Sequence, residues 1–354
     1  MFSLTKNNLI LILFVIMGLR LISLPMYPLM DTTESRYAEI SRIMLESGDW
    51  VTPQFSAGTP FWGKPPLLFW LTAGSFKILG VNEFAARISA WLLSVLVLFL
   101  TYRAAVSLSI GAPLKPVLVL ASTAIFFISS GAVMTEACLL ASVTLCLVSF
   151  LEAIKTHSKA YWRYLFFVGL GMGMLAKGPI AIVMVATPVF LWAVISRGFL
   201  SLWRSFPWVI GSAIAISIFL PWYILAEQKT PGFLDYFIVG EHFNRFLTPG
   251  WQGDLYGTAH NRPYGTIWVL WVLAVFPWSF VFLALLFKRG ISKNRLLTQM
   301  RDAKKNMDSA DLLLLAWTVT PLLFFTFAGN ILATYVITGV PSFALLISRK
   351  KSNL

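Results

Sequence analysis

Apolar residues run through this chain in blocks. Stretches of about 16 to 24 residues, long enough for helical membrane spans with some tilt, recur along nearly its whole length. We read ten: 8–30, 83–102, 116–131, 133–153, 162–177, 179–196, 205–225, 264–287, 311–328 and 330–348. Polar residues gather between them, above all in two long connections, 31–82 and 226–263. No stretch is free enough of apolar blocks to form a separate soluble domain. The pattern therefore predicts an all-α integral membrane protein of about ten transmembrane helices, with interfacial helices in two large loops.

The loops carry amphipathic signals of their own. Tyr37, Ile40 and Met44 fall at i, i+3 and i+7, while Glu39, Arg42 and Glu46 share the opposite face and Gly48 ends the run. This spacing predicts a helix lying at the membrane surface. Asp31 with Glu34 three residues later reads as a helix-start capping box. The segment 64–80 has prolines at its start and Gly80 at its end, and is too short to span comfortably, so a second interfacial or re-entrant helix is expected. Residues 231–247 space Phe233, Phe237, Phe243 and Phe246 around charged groups in the same interfacial style.

Composition agrees: 58% of residues are hydrophobic and 12% charged, with a mean hydropathy of +0.76. The first run carries Arg20 and ends in "LPMYPLM", without a small-residue cleavage site, and is expected to remain as the first span. The net charge of +13 is a topology signal. Counted over alternate connections, Lys6, Arg103, Lys155, Arg197, the basic cluster 288–305 and Arg349 fall on one side. By the positive-inside rule that side and both termini are cytoplasmic, and the two long loops face outward. Nucleic acid is thereby excluded as the reason for the charge. No Walker A loop, GxGxxG or HExxH is present, and there is no convincing internal repeat. "GMGM" at 171–174 predicts close helix packing. Cys138 and Cys146 sit eight residues apart on one span, about 12 Å along a helix and too far for a disulfide.

Several longer motifs occur in order: "ESRYAEISRIMLESGDWVTP", "FWGKPPLLFWL", "VNEFAAR", "AKGP", "EHFNRF", "HNRPYG" and "ILATYVITGVPSFALL". Together they resemble the membrane-embedded glycosyltransferases of the C superfamily that use polyprenyl-phosphate sugars. The likeness is greatest to the aminoarabinose transferases that modify lipid A and more distant to the protein O-mannosyltransferases. The resemblance implies a single transmembrane glycosyltransferase domain, residues 1–354, in a bacterial inner membrane, with the two outer loops forming the site. It implies a sugar moved from a polyprenyl-phosphate donor to a lipid A or glycolipid-type acceptor on the periplasmic face. The same chemistry on a protein or another glycan, or a non-catalytic lipid-binding or transport role, stays open. No C-terminal soluble domain is expected here, whereas the aminoarabinose transferases continue through further spans into one.

Transfer from a lipid phosphate to a hydroxyl needs a carboxylate to take the proton and cations to hold the departing phosphate. The resemblance maps the carboxylates onto Asp31, Glu34 and Glu136, although Thr33 occupies the position where the family has its first Asp. Arg36, Tyr37, Lys64, Lys177, Arg245 and Arg262 are the candidate lipid-phosphate and substrate ligands, since guanidinium forks suit phosphate oxygens. Each cation also has a plain reading as a snorkelling or helix-capping residue. The lysine that the family carries near its "KLPTY" motif is absent from "GNILATY". No cofactor is read from composition. The resemblance implies a zinc ion held by a glutamate and a histidine, of which His260 is kept and Gly63 replaces the glutamate. His242, beside Glu241, is expected to order its loop.

Overall fold

A computed structural model describes residues 5–155, 158–257, 261–288 and 308–349. Helices occupy all ten apolar runs. Among the described residues, five are long and apolar enough to cross a membrane: α1 (Lys6–Ser23), α4 (Glu83–Ser107), α7 (Thr135–Ala153), α11 (Trp208–Lys229) and α15 (Ser309–Thr326). A sixth span is available if α13 (Thr266–Ala274) and α14 (Trp278–Lys288), bent by 107° at their junction, count as one. The remaining runs are shorter or interrupted. Residues 116–131 break into α5 (Leu114–Ala121) and α6 (Ala124–Ser129), and 330–348 into a 3₁₀ turn (Ala333–Gly339) followed by α16 (Val340–Ser348). Apolar length alone did not foresee these breaks. The chain is a multi-pass membrane protein, and the described residues carry five or six clear spans where ten were expected.

The centre of the molecule is α7, buried along nearly its whole length. It packs on α4, on α8 (Tyr161–Lys177) and on α9 (Ile180–Ile195). The small residues of α8 permit this approach. A Cβ on Gly169 would stand 2.6 Å from Cys146 Sγ on α7, one on Gly171 2.8 Å from Ile218 Cβ on α11, and one on Gly173 2.7 Å from Ala181 Cβ on α9. The "GMGM" stretch is thus a packing face, as expected. Both cysteines are buried free thiols.

The first long loop folds as α2 (Thr32–Ser47), a short antiparallel hairpin of β1 (Gln54–Ser56) and β2 (Thr59–Pro60), and α3 (Leu67–Leu79). Asp31 caps α2 through Oδ1, which accepts from the amides of Thr33 at 2.7 Å and Glu34 at 3.3 Å. Gly48 ends it at φ 70°, a left-handed conformation that costs glycine little. Arg42 pairs with Glu39 and Glu46 on the exposed face, as the spacing predicts. The apolar stripe behaves differently from expectation: Tyr37, Ile40 and Met44 are buried against Phe61, Phe69 and Phe76 of the same loop. Their area is removed from solvent by protein, which makes α2 a wall of the domain. After α10 (Phe199–Ser205) and α11, residues 235–244 of the second loop wind as a π-helix that runs directly into α12 (Arg245–Leu247). Phe233 and Phe237 of this loop are buried against Trp222 and Tyr223, while Phe243 is exposed.

Candidate functional site

A cavity of about 810 Å³ opens where the two long loops meet the ends of α7 and α8. Part of its lining is charged: Arg36 from α2, Lys64 from the loop before α3, Lys177 from the end of α8 and Arg245 from α12, with Glu136, Glu241 and Asp254. Much of the rest is apolar and aromatic, with residues such as Leu139, Val183, Met184, Phe246 and Phe325. A pocket of this size with a few convergent polar groups is the usual form of a ligand site.

The charges are arranged in pairs. At the first turn of α7, Glu136 Oε1 accepts from Lys177 Nζ at 2.8 Å and from Thr334 Oγ1 at 3.1 Å, while Oε2 meets only the Thr135 hydroxyl, at 3.3 Å. The Lys177 ammonium also stands 5.1 Å from the Tyr335 ring. Across the cavity, Glu241 joins the two loops, accepting from Lys64 Nζ at 2.8 Å and from Arg245 Nη1 at 3.0 and 3.1 Å. Arg245 Nη1 also lies 3.2 Å from Asp254 Oδ2. Burial alone would raise the Glu241 carboxyl, but the Lys64 ammonium and the Arg245 guanidinium overcome it and hold the group at about 2. Arg36 differs from the other three cations: among the described residues it has no carboxylate partner, and its guanidinium stands 5.8 Å from the Phe55 ring. Four cations against three carboxylates leave the described lining with one excess positive charge.

Tyr37 lines the cavity with its ring packed edge-on against Phe61 and Phe69. Burial, then the Glu136 charge, push its phenol far above the usual range, so it serves only as a neutral hydrogen-bonding group. Burial lowers the His242 imidazole, whose ring nitrogens lie 2.7 Å from the Phe237 carbonyl and 3.1 Å from that of Lys177. His242 thereby fastens the π-helix to the end of α8.

Other residues singled out in the sequence lie elsewhere. Glu34 is buried on the far face of α2, where its two oxygens accept from Arg87 Nε at 2.8 Å and Nη2 at 2.9 Å, and Oε1 also from the Val133 amide at 3.2 Å. Arg87 is fully buried and spends its remaining donors on the carbonyls of Leu24, Tyr27 and Pro28. Glu34 is thus a clip between α2, α4 and the α1–α2 turn, and no capping box forms. Asp31 stays exposed as the helix cap, while its neighbours Thr32 and Thr33 reach the cavity. Arg262 is exposed beside the Asn261–Asn330 bridge and is not among the described residues that line the cavity. His260 lies outside the described residues.

The sequence reading missed Glu241, Asp254 and Arg87 as organising residues. The i, i+4 spacing of Glu241 and Arg245 was a usable signal for one pair. Nothing local marks Arg87, whose partner is 53 residues away.

The implied zinc pair does not fit these residues. A Cβ at Gly63 would meet Phe61 Cζ at 2.8 Å and Tyr256 Cδ2 at 3.4 Å, so aromatic rings fill the place a glutamate side chain would need. Among the described residues, no group of three or more His, Cys, Asp or Glu side chains gathers in a way that could hold a metal ion.

Comparison with known proteins agrees with the fold. The undecaprenyl phosphate-alpha-4-amino-4-deoxy-L-arabinose arabinosyl transferase of Edwardsiella ictaluri is 30% identical over 334 residues, covering 93% of this chain and 56% of that protein. Its counterpart from Erwinia tasmaniensis is 31% identical over 338 residues, with 93% and 56% covered. This chain therefore spans little more than half the length of these curated relatives. Among solved structures, ArnT from Cupriavidus metallidurans bound to undecaprenyl phosphate superposes with a TM-score of 0.83 at 22% identity, over 98% of this chain and 60% of that one. The oligosaccharyltransferase of Archaeoglobus fulgidus gives 0.60 at 15% identity, over 97% and 50%. The family model described as dolichyl-phosphate-mannose-protein mannosyltransferase matches residues 8–237, well over half the chain, and the protein belongs to that family.

Proposed function

We propose that this protein is a glycosyltransferase that moves a sugar from a polyprenyl-phosphate donor to a hydroxyl of a lipid A or glycolipid-type acceptor. The observation that carries the reading is the cavity itself, whose lining combines charged side chains with one excess positive charge and apolar, aromatic side chains that suit an isoprenoid tail. The names of the curated relatives, undecaprenyl phosphate-dependent arabinosyl transferases, support the donor class. In this reading the protein lies in the bacterial inner membrane with both termini cytoplasmic and the cavity facing the periplasm, an orientation that the distribution of Lys and Arg supports.

In this reading the charged lining residues take the following roles. The donor phosphodiester docks on Arg36, the cation without a carboxylate partner among the described residues, and is flanked by Lys64 and Arg245. Glu136 takes the acceptor proton on Oε2, the oxygen left comparatively free when Lys177 and Thr334 engage Oε1. The acceptor oxygen then attacks the anomeric carbon, the bond from that carbon to the phosphate oxygen breaks, and its electron pair stays on the phosphate, whose added charge the cations stabilise. Glu34, committed to Arg87, and Asp31, committed to its helix cap, are left out of this step. Arg262, which is not among the lining residues, has no role in this step.

The test is Glu136→Gln in purified protein given a polyprenyl-phosphate sugar and lipid A. Turnover is expected to fall by about 10² to 10⁴ while polyprenyl phosphate still binds. Turnover within threefold of the unmodified protein would remove Glu136 from the chemistry.

A further inference from the structure

Glu241 is the best-connected group in the cavity, yet the proposed step has no use for a carboxylate there. It sits between the two cations that flank the docked phosphate, 2.8 Å from Lys64 Nζ and 3.0 Å from Arg245 Nη1, with the Tyr236 hydroxyl at 3.4 Å. Its side chain is only 5% exposed. The cations it holds have capacity to spare. Arg245 Nε is buried without a partner among the described residues, and Lys64 donates otherwise only to its neighbouring Gly63 carbonyl. A carboxylate with two oxygens shared between an ammonium and a guanidinium presents the same acceptor pattern as a phosphate in that place.

We infer that Glu241 is a built-in counter-ion that stands in for the lipid phosphate, yields Lys64 and Arg245 when the donor arrives, and reclaims them to expel the lipid phosphate after transfer. The inference rests on reading the cavity as a polyprenyl-phosphate site. Its logic is one of charge. The donor phosphodiester carries one negative charge, and the polyprenyl phosphate left after transfer is a monoester that can carry two. A fixed carboxylate a few ångströms away opposes the more highly charged product more than the donor, so the exchange favours release after the bond is broken. Without Glu241 the two cations would be held less well before binding and would grip the product harder after it.

The experiment measures binding of undecaprenyl monophosphate to the detergent-purified protein and to Glu241→Gln, together with product inhibition of transfer. Removing one nearby like charge should tighten monophosphate binding about tenfold, or 1.4 kcal/mol, and lower the product inhibition constant to match. Glu241→Asp keeps the charge but shortens the reach, and should tighten binding by a smaller factor; it supplies the comparison if the glutamine variant does not fold. If Glu241→Gln, folded, binds the monophosphate equally or more weakly, Glu241 only positions the cations and the inference is overturned. If Glu241→Gln does not fold, binding by Glu241→Asp no tighter than by the unmodified protein overturns it in the same way. If neither the unmodified protein nor the variants bind it at all, the donor reading fails and takes the inference with it.

Discussion

Replacing Glu34 by glutamine separates a structural clip from a catalytic base. Arg87 is fully buried, and five hydrogen bonds satisfy its guanidinium: two to Glu34 and one each to the carbonyls of Leu24, Tyr27 and Pro28. The Tyr27 ring also lies 3.8 Å from the guanidinium carbon. Glutamine removes the negative charge and turns an NH₂ group toward another donor, leaving a buried cation without its counter-charge. Breaking such a pair from one side costs about 3–5 kcal/mol. With roughly 2 °C lost per kcal/mol in a chain of this size, the protein should melt about 6–10 °C lower. The exposed Glu39–Arg42 pair is the internal control, and Glu39→Gln should cost at most about 0.5 kcal/mol. Replacing both Glu34 and Arg87 by methionine should cost less than the two single changes added together, because no charge is then stranded. The assay is thermal unfolding in detergent alongside transfer activity. A Glu34→Gln protein that melts within about 2 °C of the original yet has lost transfer would refute the clip and return Glu34 to the chemistry.

Three further outcomes follow from the same geometry. Arg36→Ala should weaken polyprenyl phosphate binding about tenfold or more, the worth of one charge-assisted hydrogen bond, with Arg36→Lys recovering part of it; titration of the two variants checks this. Gly63→Glu should destabilise the protein by about 1–3 kcal/mol, because its Cβ lands 2.8 Å from the Phe61 ring; a melting temperature equal to the original would show that the ring moves freely aside. The folded Glu241 carboxyl, at about 2, lies below its ordinary 4.5, so its stabilising contribution is complete above about 4.5 and disappears as pH falls toward 2. Denaturation of Glu241→Gln and the unmodified protein should therefore differ by a constant amount, on the order of 3 kcal/mol, between pH 5 and 8, with the gap closing below pH 4.5.

The membrane class was legible because it rests on long-range composition, the length of the apolar runs. The helix from Thr32 to Ser47 was legible too, since its cap, stripe and terminal glycine are local. What α2 packs against was not, because an apolar stripe buries equally well in lipid or in protein, and only the positions of Phe61 and Phe69 decide between them. The breaks at 122–123 and at 275–277 were invisible for a related reason: hydropathy records that a stretch is apolar, not that its axis turns by 107°. Of the site, Lys64, Lys177, Glu136, Arg36 and Arg245 do share one cavity, as the motifs imply. Glu34 illustrates the limit. A charged residue inside a motif can serve the fold instead of the reaction, and which it serves depends on Arg87, far away in sequence and with no periodicity to announce it.

The most direct test of the proposed transfer is mass spectrometry of total lipids from cells with and without this gene, grown where it is expressed. The account predicts that deletion accumulates a polyprenyl-phosphate sugar while a glycosylated lipid disappears, the mass lost from the acceptor matching the sugar retained on the donor. Unchanged donor and acceptor pools under those conditions would contradict it.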